Sequence, residues 1–227
     1  FTFCALGGYL LGSIPFGLVI TRLAGLGDIR KIGSGNIGAT NVLRTGHWGL
    51  ALRTVVCDAS KAGVAALIAS FLVPAEDMFF CGFLTTASVF AGLIAGTAAI
   101  VGHNFPVWLK FKGGKGVASA FGFFLATSPV VAGMALLTWL VMAFTTRYSS
   151  LSAITAAVMV PFFAFFLSSP VNAVFYSLIA LLVLFRHRGN IVRLLKGEES
   201  KISFGKKDKT TGNTKENGQD KAESAKK

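Results

Sequence analysis

The sequence predicts an all-α integral membrane protein with about seven transmembrane helices, an N-terminus outside, a cytoplasmic C-terminus and its functional loops on the cytoplasmic face. Hydrophobic residues make up 53% of the 227-residue chain and charged residues only 14%, whereas a soluble domain carries about 25% charged residues. Several uncharged runs approach the length of about 20 residues that crosses a bilayer. Loops rich in basic residues alternate with a loop that has none, which sets the orientation.

Five apolar runs are clear candidates for membrane helices, and they lie at residues 2–22, 52–73, 79–100, 150–168 and 171–185. With the N-terminus outside, the 23–51 loop, which contains three basic residues, faces the cytoplasm. The loop at 74–78 holds two acids and no base, so it faces out. The 101–116 loop, which contains three lysines, lies on the cytoplasmic side again.

The stretch 117–146 decides the number of crossings. Its 30 residues contain no charge, which is too long for one ordinary crossing and short for two. Because Pro129 would interrupt a helix, we predict two short helices over 117–128 and 129–146. Two crossings place the following basic residues in the cytoplasm, whereas one crossing would place Arg186, Arg188 and Arg193 outside, against the positive-inside rule.

The chain divides into a membrane-embedded domain, residues 1–197, and a polar tail, residues 198–227. The tail contains eight lysines and six acids, with Phe204 as its one aromatic residue. Such a composition is typical of a solvated, mostly disordered segment. We therefore expect a disordered cytoplasmic tail that is dispensable beyond about Phe204.

The first polar loop contains GSGNIGATNVLR, residues 33–44. Glycines allow backbone N–H groups to approach an anion closely, and an arginine can hold a phosphate through two hydrogen bonds. A merely solvated loop is the alternative, but it would be expected to carry lysine and glutamate instead. We predict an anion site formed by Gly33, Ser34, Asn36, Thr40, Asn41 and Arg44.

The second polar loop contains GHNFPVWLKFKGGKGVAS, residues 102–119. It is not a nucleotide-binding Walker loop, because Gly116 follows Lys115 where a serine or threonine would bind magnesium. The glycines form a potential nest of N–H groups at the start of a membrane helix, where an anion is favoured. Lysines that only anchor the helix are the alternative, yet anchoring does not need three glycines in four residues. The predicted substrate-binding residues are His103, Lys112, Gly113, Gly114, Lys115 and Gly116.

The third polar segment is RHRGNIVRLLKGEE, residues 186–199. His187, Asn190 and Arg193 are spaced by three residues, so they share one face if the helix continues. We predict that Arg193 binds substrate. A basic amphipathic segment beside lipid headgroups is an equally favoured alternative to a functional role for this face.

Asp58 and Lys61 also share a helix face, within the second span. Ionisable groups in a membrane helix are costly and tend to be paired or functional. Asp58 is expected to pair with Lys61 or with a lysine of the second loop. The three cysteines lie far apart in apolar runs, without a nearby histidine or cysteine cluster, so we predict packing thiols and no metal site.

Together, in this order and spacing, the three motifs resemble those of the bacterial acyl-phosphate:glycerol-3-phosphate acyltransferases, the PlsY family. GSIPFGLVI, residues 12–20, also matches, and the resemblance covers about residues 7–204. It implies transfer of a fatty acyl group from acyl phosphate to the 1-hydroxyl of glycerol 3-phosphate. The product would be 1-acyl-glycerol 3-phosphate (lysophosphatidic acid), in the committing step of phospholipid synthesis at the bacterial inner membrane. No cofactor and no metal are implied.

The resemblance also implies roles for single residues. Ser34 and Arg44 would be required for activity, and the loop from Gly113 to Gly116 would bind glycerol 3-phosphate. His187 and Asn190 would support catalysis, and Glu199, like Asp58 and Lys61, would be structural. Two residues depart from the family pattern without affecting groups assigned to chemistry: Ala62, where glycine is usual, and Ser119, where threonine is common.

The implied donor is a mixed anhydride whose phosphate is already a good leaving group, so no nucleophilic serine is needed. The proton acceptor stays open between the donor phosphate and His187. A membrane transporter for an organic phosphate is the alternative function. Transporters usually show internal repeats and a site near the membrane midplane, whereas this sequence shows no repeat and its polar motifs lie on one face. Nucleic acid is not an expected partner, despite the net charge of +12, because the basic residues follow the membrane topology.

Overall fold

A computed structural model describes residues 1–202, which fold into a helical bundle with one β-hairpin. Short 3₁₀ turns occupy Ile29–Lys31 and Val107–Leu109. The α-helices within the described residues are α1 (Thr2–Gly12), α2 (Phe16–Leu23), α3 (Ala39–Leu43), α4 (Trp48–Leu72), α5 (Ala87–Asn104), α6 (Val117–Thr127), α7 (Pro129–Thr146), α8 (Ser149–Leu167), α9 (Pro170–Arg186) and α10 (Arg188–Leu195).

Five helical segments of residues 1–202 are long and apolar enough to cross a membrane: Thr2–Leu23, Trp48–Leu72, Ala87–Leu109, Pro129–Thr146 and Ser149–Leu167. A sixth results if α9 and α10, which meet at a bend of 58°, count as one broken span. The predicted division of 117–146 into two helices is confirmed, because α6 ends at Thr127 and α7 begins at Pro129. With 11 residues, α6 is only about 16 Å long at 1.5 Å per residue.

The predicted span over 79–100 is wrong at its beginning. Asp77–Phe80 and Phe83–Thr86 form two antiparallel strands, β1 and β2, and α5 starts directly afterwards. Cys81 and Gly82 make the connecting turn with φ angles of 51° and 81°, which is the backbone that a tight two-residue hairpin needs. Apolar composition alone did not separate this hairpin from the helix that follows it.

Small residues let the helices cross closely. A methyl group on Gly12 of α1 would overlap the backbone of Ala99 in α5, and one on Gly122 of α6 would overlap that of Ala59 in α4. Such contacts are typical of helices that pack within a membrane. They hold α1 against α5 and α6 against α4, and the ends of α4, α5 and α6 carry the first and second polar loops.

A second, smaller apolar cluster packs between the first polar loop and the helices α2 and α4. It consists of Leu18, Ile29, Ile37, Val42 and Ala51, all buried. The loop between α2 and α4 is thus packed against the bundle instead of projecting freely from it.

Candidate active site

The first loop is built around the side-chain amide of Asn41, which is 2% exposed. Its Nδ2 donates to the carbonyls of Ile29, Ile32 and Asn36 at 3.0, 2.9 and 2.9 Å. Its Oδ1 accepts from the backbone N–H and the hydroxyl of Ser34 at 3.0 and 3.3 Å. Because these bonds use the whole amide, Asn41 shapes the loop, and this corrects its predicted role as a substrate contact.

The rest of this loop leaves its polar side chains accessible. Gly33 has a φ of 56°, and a methyl group there would lie 2.6 Å from Oδ1 of Asn41 and 2.9 Å from Cδ of Arg44. Only glycine therefore fits beneath the arginine. Ser34, Thr40 and Arg44 are exposed, whereas Oδ1 of the half-buried Asn36 accepts the N–H of Gly38 at 3.1 Å.

The second loop is fixed by backbone hydrogen bonds. The N–H groups of Gly113 and Gly114 donate to the carbonyls of Asn104 and His103 at 3.2 and 3.0 Å. Their own carbonyls accept from Nη2 and Nε of Arg186 at 2.8 and 2.9 Å. These two N–H groups are therefore unavailable to an anion, which corrects the nest predicted at Gly113 and Gly114. Nothing in the sequence distinguished Arg186 from a residue that anchors the helix.

The anion-attracting part of this loop begins at Lys115. Gly116 caps α6 with a φ of 82°, and the first N–H groups of a helix have no partners within it. Nζ of Lys115 donates to Oδ1 of Asn190 at 2.6 Å. Burial lowers the pKa of Lys115 to about 8; Glu199 opposes this shift, and nearby arginines add to it.

Glu199 is the centre of the third segment. Its Oε1 accepts from Nδ2 of Asn190 at 2.6 Å and from the hydroxyl of Ser150 at 2.7 Å, and Oε2 accepts from Nε of Arg193 at 2.7 Å. Burial raises the pKa of Glu199, but these hydrogen bonds outweigh burial and hold the pKa below its usual value. Ser150, in the first turn of α8, is a site residue that the sequence did not reveal.

His187 sits at the junction of α9 and α10 and is 2% exposed. Its Nδ1 lies 2.8 Å from the carbonyl of Val183. Since a carbonyl only accepts, Nδ1 carries the proton and Nε2 is the acceptor in the neutral ring. Of the stripe predicted for the third segment, Asn190 and Arg193 meet at Glu199, whereas His187 is oriented by its own helix.

The three segments meet at one end of the bundle. Nη2 of Arg44, from the first loop, donates to the hydroxyl of Ser200 at 2.8 Å, next to Glu199. Around Lys115, four positively charged side chains face one carboxylate, that of Glu199. The four are Lys115 itself, Arg44, Arg186 and Arg193. This excess of positive charge suits ligands that carry phosphate.

Four predicted residues lie apart from this network. His103 is 4% exposed, with its ring under Gly114, so it does not face a substrate as predicted. Asp58 pairs with Lys61, whose Nζ lies 3.2 Å from Oδ1, and not with a lysine of the second loop. Lys112 is exposed and makes no ion pair within residues 1–202.

Metal ligands do not cluster in this part of the molecule. Among the described residues, no three histidine, cysteine or acidic side chains are grouped so that they could hold a metal ion.

Comparison with known proteins places the chain in a family. The sequence model of the family described as "Glycerol-3-phosphate acyltransferase" matches residues 2–197. The chain belongs to the glycerol-3-phosphate acyltransferase family. This confirms the resemblance seen in the three motifs. The described helices are consistent with that membership, since they include several that are able to cross a membrane.

Relatives in this family are similar over most of their length. The glycerol-3-phosphate acyltransferase of Rhodospirillum rubrum is 57% identical over 204 residues, which cover 90% of this chain and 92% of the relative. The corresponding protein of Mesorhizobium japonicum is 54% identical over 195 residues, 86% of this chain and 92% of its own.

The fold also matches solved structures from the family. The crystal structure of PlsY, an integral membrane glycerol 3-phosphate acyltransferase, in its glycerol 3-phosphate form superposes with a TM-score of 0.78 at 39% identity. Its lysophosphatidic acid form gives a TM-score of 0.77 at 38% identity. Each comparison covers 89% of this chain and 95% of the other.

Proposed function

We propose that the protein transfers a fatty acyl group from acyl phosphate to the 1-hydroxyl of glycerol 3-phosphate, with lysophosphatidic acid and phosphate as products. The observation that carries this proposal is one hydrogen-bonded network that joins the three polar segments. Glu199 accepts from Asn190 and Arg193, Lys115 donates to Asn190, and Arg44 donates to the neighbouring Ser200. The names of the relatives and the ligand-bound forms of the similar structure support glycerol 3-phosphate as acceptor and lysophosphatidic acid as product.

Holding two phosphate-bearing substrates side by side requires positive charge, because the two anions repel each other. Arg44 and Lys115 belong to different loops of the network and can each bind one phosphate. The start of α6 adds N–H donors and the positive end of a helix dipole. Glu199 limits the excess charge and keeps Asn190 and Arg193 oriented through its hydrogen bonds.

Acyl transfer then needs little beyond alignment and charge stabilisation. The phosphate of the donor leaves readily, so the 1-hydroxyl of glycerol 3-phosphate attacks the acyl carbonyl directly within a ternary complex. Within residues 1–202, the hydroxyl of Ser34 makes only a long, 3.3 Å contact to Asn41. This contact can be exchanged for a hydrogen bond to a phosphate or to the developing oxyanion. Arg44, close to Gly33, supplies charge at the same point.

The proton of the attacking hydroxyl passes to the leaving phosphate in this scheme. His187 presents Nε2 as an acceptor, because Nδ1 is engaged by Val183. Because a hydroxyl has one proton, Nε2 could accept it only if His187 replaced the donor phosphate as the base, and we assign the role of base to the phosphate. No atom of the protein is acylated, and no cofactor or metal takes part in these steps.

The site is proposed to face the cytoplasm from the inner membrane of a bacterium, with the N-terminus outside and seven crossings. In this arrangement α6 is a short crossing, and α9 is the last one. The contacts between the polar segments support their common location at one face of the bundle.

The decisive experiment supplies the purified protein with palmitoyl phosphate and radiolabelled glycerol 3-phosphate, without added metal or coenzyme A. Formation of labelled lysophosphatidic acid is expected. Product formation with palmitoyl-coenzyme A, but not with palmitoyl phosphate, would disprove the proposed donor. A transporter would instead accumulate labelled glycerol 3-phosphate in proteoliposomes without acyl phosphate, and we expect no such uptake.

A further inference from the structure

A buried charged group lies directly under the glycine-rich loop. The side chains of Lys61 and Asp58 are 1% and 3% exposed, and that of His103 is 4% exposed. Oδ1 of Asp58 lies 3.2 Å from Nζ of Lys61 and 3.5 Å from Nδ1 of His103. Asp58 therefore ties a lysine of its own helix to the imidazole at the end of α5.

The other side of the imidazole supports Gly114. A methyl group on Gly114 would overlap the His103 ring, with Nε2 as the nearest atom. Nε of Arg186 donates a hydrogen bond to the carbonyl of Gly114 at 2.9 Å. The peptide of Gly114 is thus enclosed between a buried ring and a guanidinium group, and Lys115 follows directly in the chain.

Lys61 fixes the other end of this group to the break between α1 and α2. Its Nζ donates to the carbonyl of Ile14 at 3.0 Å and lies 5.8 Å from the centre of the Phe16 ring. That carbonyl also accepts the N–H of Phe16 at 3.1 Å, so Lys61 binds the backbone at the point where Pro15 interrupts the helix. One chain of contacts therefore connects the first helix break, α4, α5 and the glycine-rich loop.

We propose that Asp58, Lys61 and His103 are positioning residues for acceptor binding. The ion pair fixes the imidazole, the imidazole sets the position of Gly114, and Gly114 places Lys115 and the start of α6. Gly114 is then required because a side chain would collide with His103, not because its N–H group binds phosphate. This inference rests on the proposed function, and it extends that function to residues that touch no substrate.

The test is a double-mutant cycle between Gly114 and His103, read as the KM for glycerol 3-phosphate. Gly114→Ala should raise this KM by about 10- to 100-fold, the size expected of an ångström-scale displacement, with a smaller change in kcat. His103→Ala alone should raise it less. In the double variant the methyl group has space, so its KM should fall below that of Gly114→Ala alone.

The same clash elsewhere provides a matched control. Gly122→Ala collides with the backbone of Ala59 in the α4–α6 crossing, so His103→Ala should not relieve it. Gly133 in α7 has open space around it, and Gly133→Ala should leave KM and kcat unchanged. If the effects of Gly114→Ala and His103→Ala simply multiply, the positioning role of His103 is refuted.

The ion pair is tested separately, because Asp58→Asn leaves a buried lysine uncompensated and can prevent folding. The neutral double variant Asp58→Asn/Lys61→Met removes both charges together. A positioning role predicts a raised KM for glycerol 3-phosphate in the folded fraction, with the KM for palmitoyl phosphate little changed. A purely structural role predicts a lower yield of folded protein with both KM values unchanged, and that result would refute the proposal. Inactivity of the unmodified protein, by contrast, would refute the proposed function itself.

Discussion

At the scale of single residues, the charge on Lys115 is the most sensitive feature of the site. Its pKa is lowered to about 8 by burial, so the free enzyme loses this charge as the pH rises through about 8. Lys115 must then take up a proton when a phosphate binds, so binding weakens as the pH rises. We predict that the KM for glycerol 3-phosphate is flat below about pH 8 and rises above it.

The control for this prediction is Lys115→Arg, because arginine keeps its charge at any accessible pH. In that variant the rise near pH 8 should disappear, whatever the absolute affinity becomes. KM measured in half-unit steps of pH for both proteins makes the comparison. An identical rise in Lys115→Arg would mean that another group, or the substrate itself, titrates.

Ser34 carries the second prediction at this scale. Its hydroxyl contacts only an amide oxygen within the described residues, which cannot act as a base, so a covalent acyl-serine is not expected. Ser34→Ala should lower kcat by about 10²- to 10³-fold, the usual effect of losing an oxyanion donor, and Ser34→Thr should retain more activity. Intact-protein mass after incubation with acyl phosphate alone is the measurement. A stoichiometric acyl adduct would overturn the ternary-complex mechanism.

The sequence located the polar segments of the site but not the atoms that are free to react. Asn41 and His103 belong to the right motifs, yet both side chains are buried and their polar atoms contact other groups of the protein. Motif composition does not reveal this, because the sequence does not show whether an asparagine side chain is buried or faces solvent. Ser150 was invisible for another reason: 49 positions separate it from Glu199, and a serine in an apolar helix usually bonds to its own backbone.

At the scale of structural elements, residues 198–202 are bound across the site. The backbone N–H of Ile202 donates to the carbonyl of Arg147 at 2.7 Å, and Nη2 of Arg147 donates to the carbonyl of Ile202 at 3.2 Å. Between them, Glu199 and Ser200 hold Asn190 and Arg44. The beginning of the predicted tail thus contributes to the site, while the rest of that prediction, residues 203–227, lies outside the described residues.

Two truncations separate these parts of the tail. A chain that ends at Phe204 keeps all of these contacts, so we predict near-normal kcat and KM. A chain that ends at Glu198 loses Glu199 and Ser200 and leaves Arg193 without its carboxylate, so activity should fall steeply. Assays on both proteins, matched for folded amount by size-exclusion profile, make the comparison. Equal activity in both would show that Glu199 is not needed to orient the site.

Helix boundaries illustrate what could be predicted for the elements. The break before Pro129 was readable, because proline removes a backbone donor and constrains its own φ. The hairpin at Asp77–Thr86 was not, because its phenylalanines are as apolar as a membrane helix and its turn is marked only by Gly82. The bend between α9 and α10 was likewise hidden, since the polar run at 186–190 marks the end of the apolar span but not the direction of the helix that follows.

At the scale of the whole molecule, the two ends of the bundle differ in chemistry. With 25 residues, α4 is about 37 Å long at 1.5 Å per residue, which exceeds the thickness of about 30 Å of the hydrocarbon core. The first polar loop precedes this helix and the β-hairpin follows it. The cationic site and the hairpin therefore lie on opposite faces of any membrane that α4 crosses.

This separation turns the predicted orientation into a labelling experiment with a residue already in the chain. Cys81, at the tip of the hairpin, is exposed, and the proposed topology places it outside the cytoplasm. In a variant with Cys4→Ala and Cys57→Ala, a membrane-impermeant maleimide should label Cys81 once the outer membrane is opened. A cysteine-free protein that carries Lys196→Cys, an exposed position beside the site, should react only after the inner membrane is disrupted. Labelling of position 196 in intact inner membranes, with protection of Cys81, would reverse the orientation and place the site outside, away from cytoplasmic glycerol 3-phosphate.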